Sequence, residues 1–134
     1  SSSSKSSSSK SSSSQQNITL ENIPYRENTD RTLYDNYRLH YVFQYETNPK
    51  IFKALLPNFT STAMQIQDEN LFTPLHYLCQ NLNLNPEIFK ILLPLITQQL
   101  MTIQDGAKNT PLHYLCKNSR LEIFAILLKS YTLS

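Results

Sequence analysis

The sequence contains a single glycine, Gly106, among its 134 residues. Loops that wrap backbone around phosphate groups need several glycines, and so do folds with many tight β-turns, because both use backbone conformations that side chains disfavour. The scarcity of glycine therefore argues against a glycine-rich nucleotide-binding loop and against a turn-rich β fold.

Long apolar runs are also missing. The most apolar stretch, residues 88–96, is interrupted by Lys90 and Pro94, and it is much shorter than the ~20 residues of a membrane-spanning helix. The N-terminus is polar where a signal peptide needs an apolar segment. We expect no membrane insertion. The first residue is Ser1 rather than Met, which suggests processing or an excerpt from a longer protein.

No excess of positive or negative charge is present outside the N-terminal tail. The chain has 12 basic and 10 acidic residues, and Lys5 and Lys10 lie in the N-terminal tail, which leaves 12 − 2 = 10 basic residues against 10 acidic ones. A neutral body lacks the basic patch that attracts phosphate groups, so no nucleic acid partner is expected.

The N-terminal residues are almost all serine and lysine. Such a segment has little apolar surface to bury, so ordering it would cost entropy without a return. We predict a disordered tail over residues 1–20, which acts as a linker or, alternatively, as a tether that is tuned by phosphorylation or is weakly basic. The remaining residues, 21–134, are long enough for one folded domain.

Two blocks recur in the same order along this domain. The tripeptide Leu-His-Tyr is found at a spacing of 36 and 37 residues, at 39–41, 75–77 and 112–114. Each copy is followed by an apolar block, at 51–57, 88–94 and 123–129. The recurrence predicts about three structural repeats, which cover residues 32–63, 64–100 and 101–131.

Each block carries the signals of a short helix. Thr73 can accept an orphan backbone N–H as an N-cap, and Pro74 suits the first helical position. Asn85-Pro86 gives the same signal for a second helix, and the residues 119–122 form a capping-box pattern in repeat three. We predict an all-α fold in which each repeat is a helix–turn–helix pair followed by an extended connector and a polar turn.

Thr-Pro-Leu-His at the start of the first helix, with Leu-Leu near the end of the second, resembles the ankyrin repeat. The motif is complete at 73–76 and 110–113, whereas repeat one has Tyr37-Arg38 in place of Thr-Pro. The resemblance implies a short ankyrin-type solenoid with a degenerate N-terminal repeat. Leu71 and Lys108 replace the turn glycine of the family, so we expect less regular turns. A tetratricopeptide-like array is the alternative fold, but its Trp, Gly and Ala positions are absent.

The repeated heptapeptide TPLHYLC also supplies two histidines and two cysteines, a possible zinc set: His76, Cys79, His113 and Cys116. Stacked repeats displace equivalent atoms by roughly 8–10 Å, whereas zinc-bound sulfurs lie about 4 Å apart and disulfide-linked Cα atoms within about 7 Å. We therefore expect no metal, no cofactor and no disulfide. The resemblance implies that each histidine bonds to the backbone of a turn or a neighbouring repeat.

Both cysteines are thus predicted to be free and buried, which fits a reducing, intracellular and cytoplasmic location. No serine, histidine and aspartate combination lies in a catalytic motif. Asp68 and Asp105 are interpreted as residues that order turns through side-chain to backbone bonds. We expect no enzymatic activity and no catalytic residue.

A solenoid of this family presents its turn tips and the outer positions of its first helices as a concave binding face. The resemblance places amide and aromatic residues there, which supply hydrogen bonds and anchors for a partner. They are Tyr34, Asn36, Gln44 and Tyr45 in repeat one, then Glu69, Asn70, Phe72, Gln80 and Asn81, then Gly106, Ala107, Asn109, Lys117 and Asn118.

We predict a protein–protein interaction module of the adaptor or scaffold type, with an unidentified protein as its partner. The alternative is a regulatory or spacer segment of a larger enzyme or signalling protein. The apolar block of repeat three carries Ala125 where Lys53 and Lys90 stand. We therefore predict a further repeat, another domain or a second chain beside the C-terminal end. The alternative is that Arg120, Lys129 and the tail 130–134 fold over it.

Overall fold

A computed structural model describes residues 18–81, 84–118 and 121–132 of the chain. These residues form nine α-helices and three short 3₁₀ helices, and they contain no β-strand. The α-helices are α1 Arg31–Asn36, α2 Arg38–Tyr45, α3 Pro49–Leu55, α4 Ser61–Gln65, α5 Pro74–Gln80, α6 Pro86–Leu92, α7 Gln98–Thr102, α8 Pro111–Lys117 and α9 Leu121–Thr132. The 3₁₀ helices are Leu20–Asn22, Leu56–Asn58 and Leu93–Leu95.

Four of the α-helices, α3, α5, α6 and α8, begin where a capping residue precedes a proline. Asn48 accepts a hydrogen bond from the backbone N–H of Lys50 at 3.0 Å, and Asn85 accepts from Glu87 at 2.9 Å. Each of these caps satisfies a backbone donor that has no partner inside the helix. The proline that follows tolerates the first position because it has no N–H to satisfy. The predicted starts of α3, α5 and α6 are confirmed.

Six of the helices form three pairs that stack in two layers. The first-helix layer contains α2, α5 and α8, and the second-helix layer contains α3, α6 and α9; neighbours within each layer pack on each other. Residues such as Phe43, Leu78 and Phe89 are fully buried between the layers and the repeats. The predicted array of three stacked helix pairs is confirmed.

The connectors between repeats are not extended, as the sequence suggested, but contain the short helices α4 and α7. Thr60 and Thr97 cap these helices by accepting from Ala63 and Leu100. Met64 and Met101 lie in the same turns and are buried. A threonine cap and a buried side chain one turn later are enough to hold a single helical turn against the core.

An N-terminal segment covers the free side of repeat one. Ile18 and Leu20 pack against the core, and Ile23 is buried. The Arg38 guanidinium donates to the carbonyl of Leu20 at 2.7 Å. Residues 18–20 belong to this segment, although the sequence prediction included them in the disordered tail.

Residues 1–17 of that tail and the start of the capping-box pattern, at 119–120, lie outside the described residues. No helix in the part of the chain that the structure describes is long and apolar enough to cross a membrane.

Candidate partner-binding surface

Two aspartates order the turns that precede α5 and α8. One carboxylate oxygen of Asp68 accepts from the backbone N–H groups of Asn70 and Phe72, at 2.8 and 2.9 Å. Asp105 accepts from Ala107 and Asn109 at the same two distances. These bonds give each turn its shape, as predicted for both aspartates.

The second carboxylate oxygen of each aspartate is bound by a tyrosine of the following helix. Tyr77 donates its hydroxyl to Asp68, and Tyr114 donates to Asp105. Burial, together with the bond to Asp68, raises the pKa of Tyr77 far above its ordinary value. Burial alone would raise the pKa of Asp105, but the Tyr114 hydroxyl and the two turn N–H groups outweigh it and lower that pKa. Each turn is thereby fixed to its own repeat.

The turns are regular despite the missing glycines. Leu71 and Lys108 adopt left-handed backbone conformations, with φ of 66° and 64°. In each turn the N–H of this residue donates at 2.9 Å to the carbonyl of the aspartate three residues earlier. The expectation of less regular turns is wrong, because the bonds of Asp68 and Asp105 hold a side-chain-bearing residue in a conformation that costs about 1–2 kcal/mol.

Histidine connects one turn to the next. In His76 the ring nitrogen Nδ1 accepts from the backbone N–H of Thr73 at 3.1 Å, so in the neutral ring the hydrogen is on Nε2. Nε2 then donates to the carbonyl of Asn109 in the next repeat at 2.9 Å. His40 Nε2 lies 3.0 Å from the carbonyls of both Ile66 and Phe72. The bond to a neighbouring repeat that the resemblance implies is therefore present for His40 and His76.

The turns of repeats two and three enclose a groove of ≈ 450 Å³, which we call the tip groove. The backbone N–H of Gly106 donates to the carbonyl of Asn70 across it at 3.1 Å. A Cβ at position 106 would lie 3.0 Å from that oxygen, so the close approach of the two turns uses the only glycine of the chain. The residues that line the tip groove are Glu69, Asn70, Leu71, Phe72, Gly106 and Ala107.

The structure separates the predicted binding residues into three groups. The exposed group contains Asn36, Glu69, Asn70, Gly106, Ala107 and Lys117. In the second group the polar atoms are used inside the protein. Tyr34 donates to the carbonyl of Ile23, the Tyr45 hydroxyl accepts from Asp30, Asn81 donates to Gln44, and Asn118 donates to Cys79 and Gln80.

The remaining predicted residues are half-buried, namely Gln44, Phe72, Gln80 and Asn109. Gln44 and Gln80 are equivalent in adjacent repeats, and each has one buried amide atom without a hydrogen-bond partner, Oε1 of Gln44 and Nε2 of Gln80. The ring of Phe72 lies 5.3 Å from that of Tyr77 and 6.5 Å from that of Tyr114.

Sequence reasoning missed Leu71 as a surface residue. Its side chain is 48% exposed and lines the tip groove beside Phe72. The signal was present, because an apolar residue stands where the family has glycine. That departure was interpreted only as a disturbance of the turn.

The two cysteines have different environments. Cys79 is fully buried, and burial raises the pKa of its thiol far above the ordinary value. Cys116 is free but exposed, so the prediction that both thiols are buried is wrong for Cys116. No group of three or more His, Cys, Asp and Glu side chains in residues 18–81, 84–118 and 121–132 is arranged to hold a metal ion.

The fold and the repeated bonds agree with comparisons against known proteins. A family model that describes ankyrin repeats in three copies matches residues 39–133. No curated protein and no solved structure matches the chain. The match begins at the Leu-His-Tyr tripeptide of repeat one and includes both complete motifs. The chain belongs to the ankyrin repeat family.

Proposed function

We propose that this chain is a non-catalytic adaptor module that binds a segment of a partner protein at the tip groove. The observation that carries the proposal is the state of Leu71. This leucine holds a left-handed conformation at φ 66° while its side chain is 48% exposed. Because that conformation costs about 1–2 kcal/mol, a leucine here is poorly explained by packing within the chain.

Contact with an apolar residue of the partner would offset the conformational cost of Leu71. Phe72 adds a half-buried aromatic ring at the same place, and Glu69 and Asn70 add exposed polar groups at the edge. Apolar anchors surrounded by polar groups are the usual anatomy of a protein interface. We propose that the site extends from the tip groove to Asn36 in α1, to Asn109 in the turn before α8, and along the first-helix layer to Gln44, Gln80 and Lys117.

Four of the residues selected from the sequence have a different role in this proposal. Tyr34, Tyr45, Asn81 and Asn118 use their polar atoms to hold neighbouring segments together, so they support the surface rather than contact the partner. The free thiols of Cys79 and Cys116 favour a reducing, intracellular location for this module.

The test is selection of peptides from a random phage-displayed library on the full chain. Selected peptides are then measured against two variants, Leu71→Gly and Lys108→Gly. Both variants remove a side chain from a left-handed position, but only Leu71 lines the tip groove. We expect Leu71→Gly to weaken binding by about tenfold, which corresponds to the loss of one apolar anchor, and Lys108→Gly to leave it unchanged.

Nuclear magnetic resonance shifts of the backbone amides on peptide addition locate the site independently. Shifts concentrated at residues 69–72 and 106–107 support the proposal. Peptides that shift another surface, or that bind both variants as tightly as the original chain, would overturn it, and so would a selection that yields no binder.

A further inference from the structure

The three repeats differ most on the side of the array that faces away from the N-terminal segment. Equivalent residues of repeats one, two and three can be compared because the Leu-His-Tyr tripeptide and the apolar block recur in each repeat. Three sets are informative: His40, His76 and His113; Phe43, Cys79 and Cys116; and Phe52, Phe89 and Phe124.

In all three sets the first two members are buried and the third is not. His40 and His76 are 2% and 0% exposed, whereas His113 is exposed. Phe43 and Cys79 are fully buried, and Cys116 is exposed. Phe52 and Phe89 are fully buried, and Phe124 is partly exposed. In repeats one and two, the next repeat covers these positions. We call His113, Cys116 and Phe124 the end face.

These exposed residues of repeat three lie on one side of it. Within the apolar block, Ile51 is partly exposed, but its equivalents Ile88 and Ile123 are buried, 1% and 0% exposed. This set therefore faces the preceding repeat, and the end face is the opposite side. The general exposure of repeat three is not high, since Leu115 and Leu127 are each 1% exposed.

The end face also carries a hydrogen-bond donor, Nε2 of the His113 ring. His113 Nδ1 accepts from the N–H of Thr110 at 2.9 Å, as His76 Nδ1 accepts from Thr73, so Nε2 is again the protonated nitrogen of the neutral ring. His76 Nε2 donates to the carbonyl of Asn109 in the next turn. No residue in the part of the chain that the structure describes accepts from His113 Nε2.

We propose that the end face is the docking surface for a further ankyrin-type repeat, supplied from outside residues 1–134. The interface between α2 and α5 is continued by that between α5 and α8, and the end face continues it by one more step. The occupant is defined by its chemistry. It is a helix pair that covers Cys116 and Phe124 and whose preceding turn offers a backbone carbonyl to His113.

A second copy of this chain does not fit that description in the same orientation. Such a copy would have to present the free side of its repeat one, and that side is covered by the segment that contains Ile23, Tyr25 and Leu33. A copy bound end face to end face is an outcome that the experiment must detect. The proposal concerns a different surface from the tip groove, so either proposal can fail without the other.

The experiment extends the chain with a repeat of known sequence. Residues 1–128 are joined to a second copy of residues 94–134, because Leu128 is equivalent to Leu93 and the junction keeps the register. Serine replaces cysteine in the added copy, so Cys79 and Cys116 remain the two thiols. The rate at which a thiol reagent labels Cys116 is measured in this chain and in the natural one.

We expect the added repeat to slow the labelling of Cys116 by about tenfold or more, because reaction then requires the end face to open. The free energy of unfolding should rise as well. The matched control is Phe124→Lys in both chains. It should remove the protection in the extended chain and leave the labelling rate of the natural chain unchanged, because Phe124 is already partly exposed there.

Equal labelling rates in the natural and extended chains would overturn the proposal. An unfolded added repeat would not rescue it, because a true docking surface should order that repeat. A second experiment measures the oligomeric state of the natural chain by sedimentation over a wide concentration range. A monomer at all concentrations supports the proposal. A dimer that protects Cys116 and is dissociated by Phe124→Lys would assign the end face to a second copy and overturn it.

Discussion

The hydroxyl of Tyr77 donates to the carboxylate of Asp68, nine residues earlier, and so joins the first helix of repeat two to the turn that precedes it. The other oxygen of the same carboxylate accepts two backbone N–H groups of the turn. Asp68 is buried, so these three donors, rather than water, satisfy it. One side chain therefore links the geometry of the tip groove to the packing of the helices.

The first prediction concerns this carboxylate. Replacing Asp68 by alanine leaves three donors without their charged acceptor, and we expect the free energy of unfolding to fall by about 2–3 kcal/mol, because bonds to charged groups are the stronger class. Glu69→Ala removes an exposed carboxylate from the same turn and should change it by less than about 0.5 kcal/mol. Urea denaturation measures both. Similar losses in the two variants would contradict the assigned role of Asp68.

The helices could be predicted from sequence because their signals are local. Asn48-Pro49, Thr73-Pro74 and Asn85-Pro86 each combine a cap with a proline at the first helical position, and a helix begins at each of them. The connectors could not be predicted in the same way. Whether Met64 lies in an extended segment or a helical turn depends on how it packs against α5, which is a tertiary contact.

The surface was harder to predict than the helices. Asn81 and Asn118 resemble partner-binding residues in sequence, but each donates to a carbonyl of the preceding repeat. Whether such an amide bonds within the protein or stays available to a partner depends on its distance from the neighbouring repeat, which is a tertiary property. Cys116 was misjudged for a related reason, since its motif is identical to that of Cys79 and only the covering by a neighbour differs.

The second prediction concerns pH. Burial lowers the pKa of His40 and of His76 below the ordinary value of 6.5, although the carbonyls they contact and the nearby Asp68 and Asp105 act in the opposite direction. The unfolded chain then binds protons at a higher pH than the folded one. The two histidines therefore do not reduce the free energy of unfolding above about pH 6.5. As the pH falls below 6.5, the free energy of unfolding decreases by up to about 1.4 kcal/mol per pH unit for each histidine.

Urea unfolding between pH 8 and pH 4 tests this dependence. His76→Gln should make the loss of stability in acid shallower, because it removes one of the two buried rings. The lowered pKa of Asp105 adds a further loss only as the pH falls below its ordinary value of 3.8. An unchanged slope in His76→Gln would show that the buried ring does not resist protonation.

The third prediction concerns backbone strain. Glycine at position 71 or 108 relieves a left-handed conformation that costs about 1–2 kcal/mol, but it also loses about 0.5–1 kcal/mol through the greater entropy of the unfolded chain. Each variant should therefore gain between about 0 and 1.5 kcal/mol. Gly106→Ala in the same turn should have the opposite sign, because its Cβ would meet the Asn70 carbonyl. Thermal unfolding of the three variants measures the differences. A loss of stability in Leu71→Gly and Lys108→Gly would mean that their side chains contribute more than the strain.

The last prediction concerns the two thiols. With a thiol reagent in excess under native conditions, Cys116 should react rapidly because it is exposed, and Cys79 should react only when the core opens. Burial also keeps Cys79 in the unreactive protonated form by raising its pKa. Cys116→Ser should remove the rapid phase and Cys79→Ser the slow one. The slow rate should increase with urea in parallel with the unfolding equilibrium, since opening controls it. Two rapid phases in the native chain would contradict the burial of Cys79 between repeats.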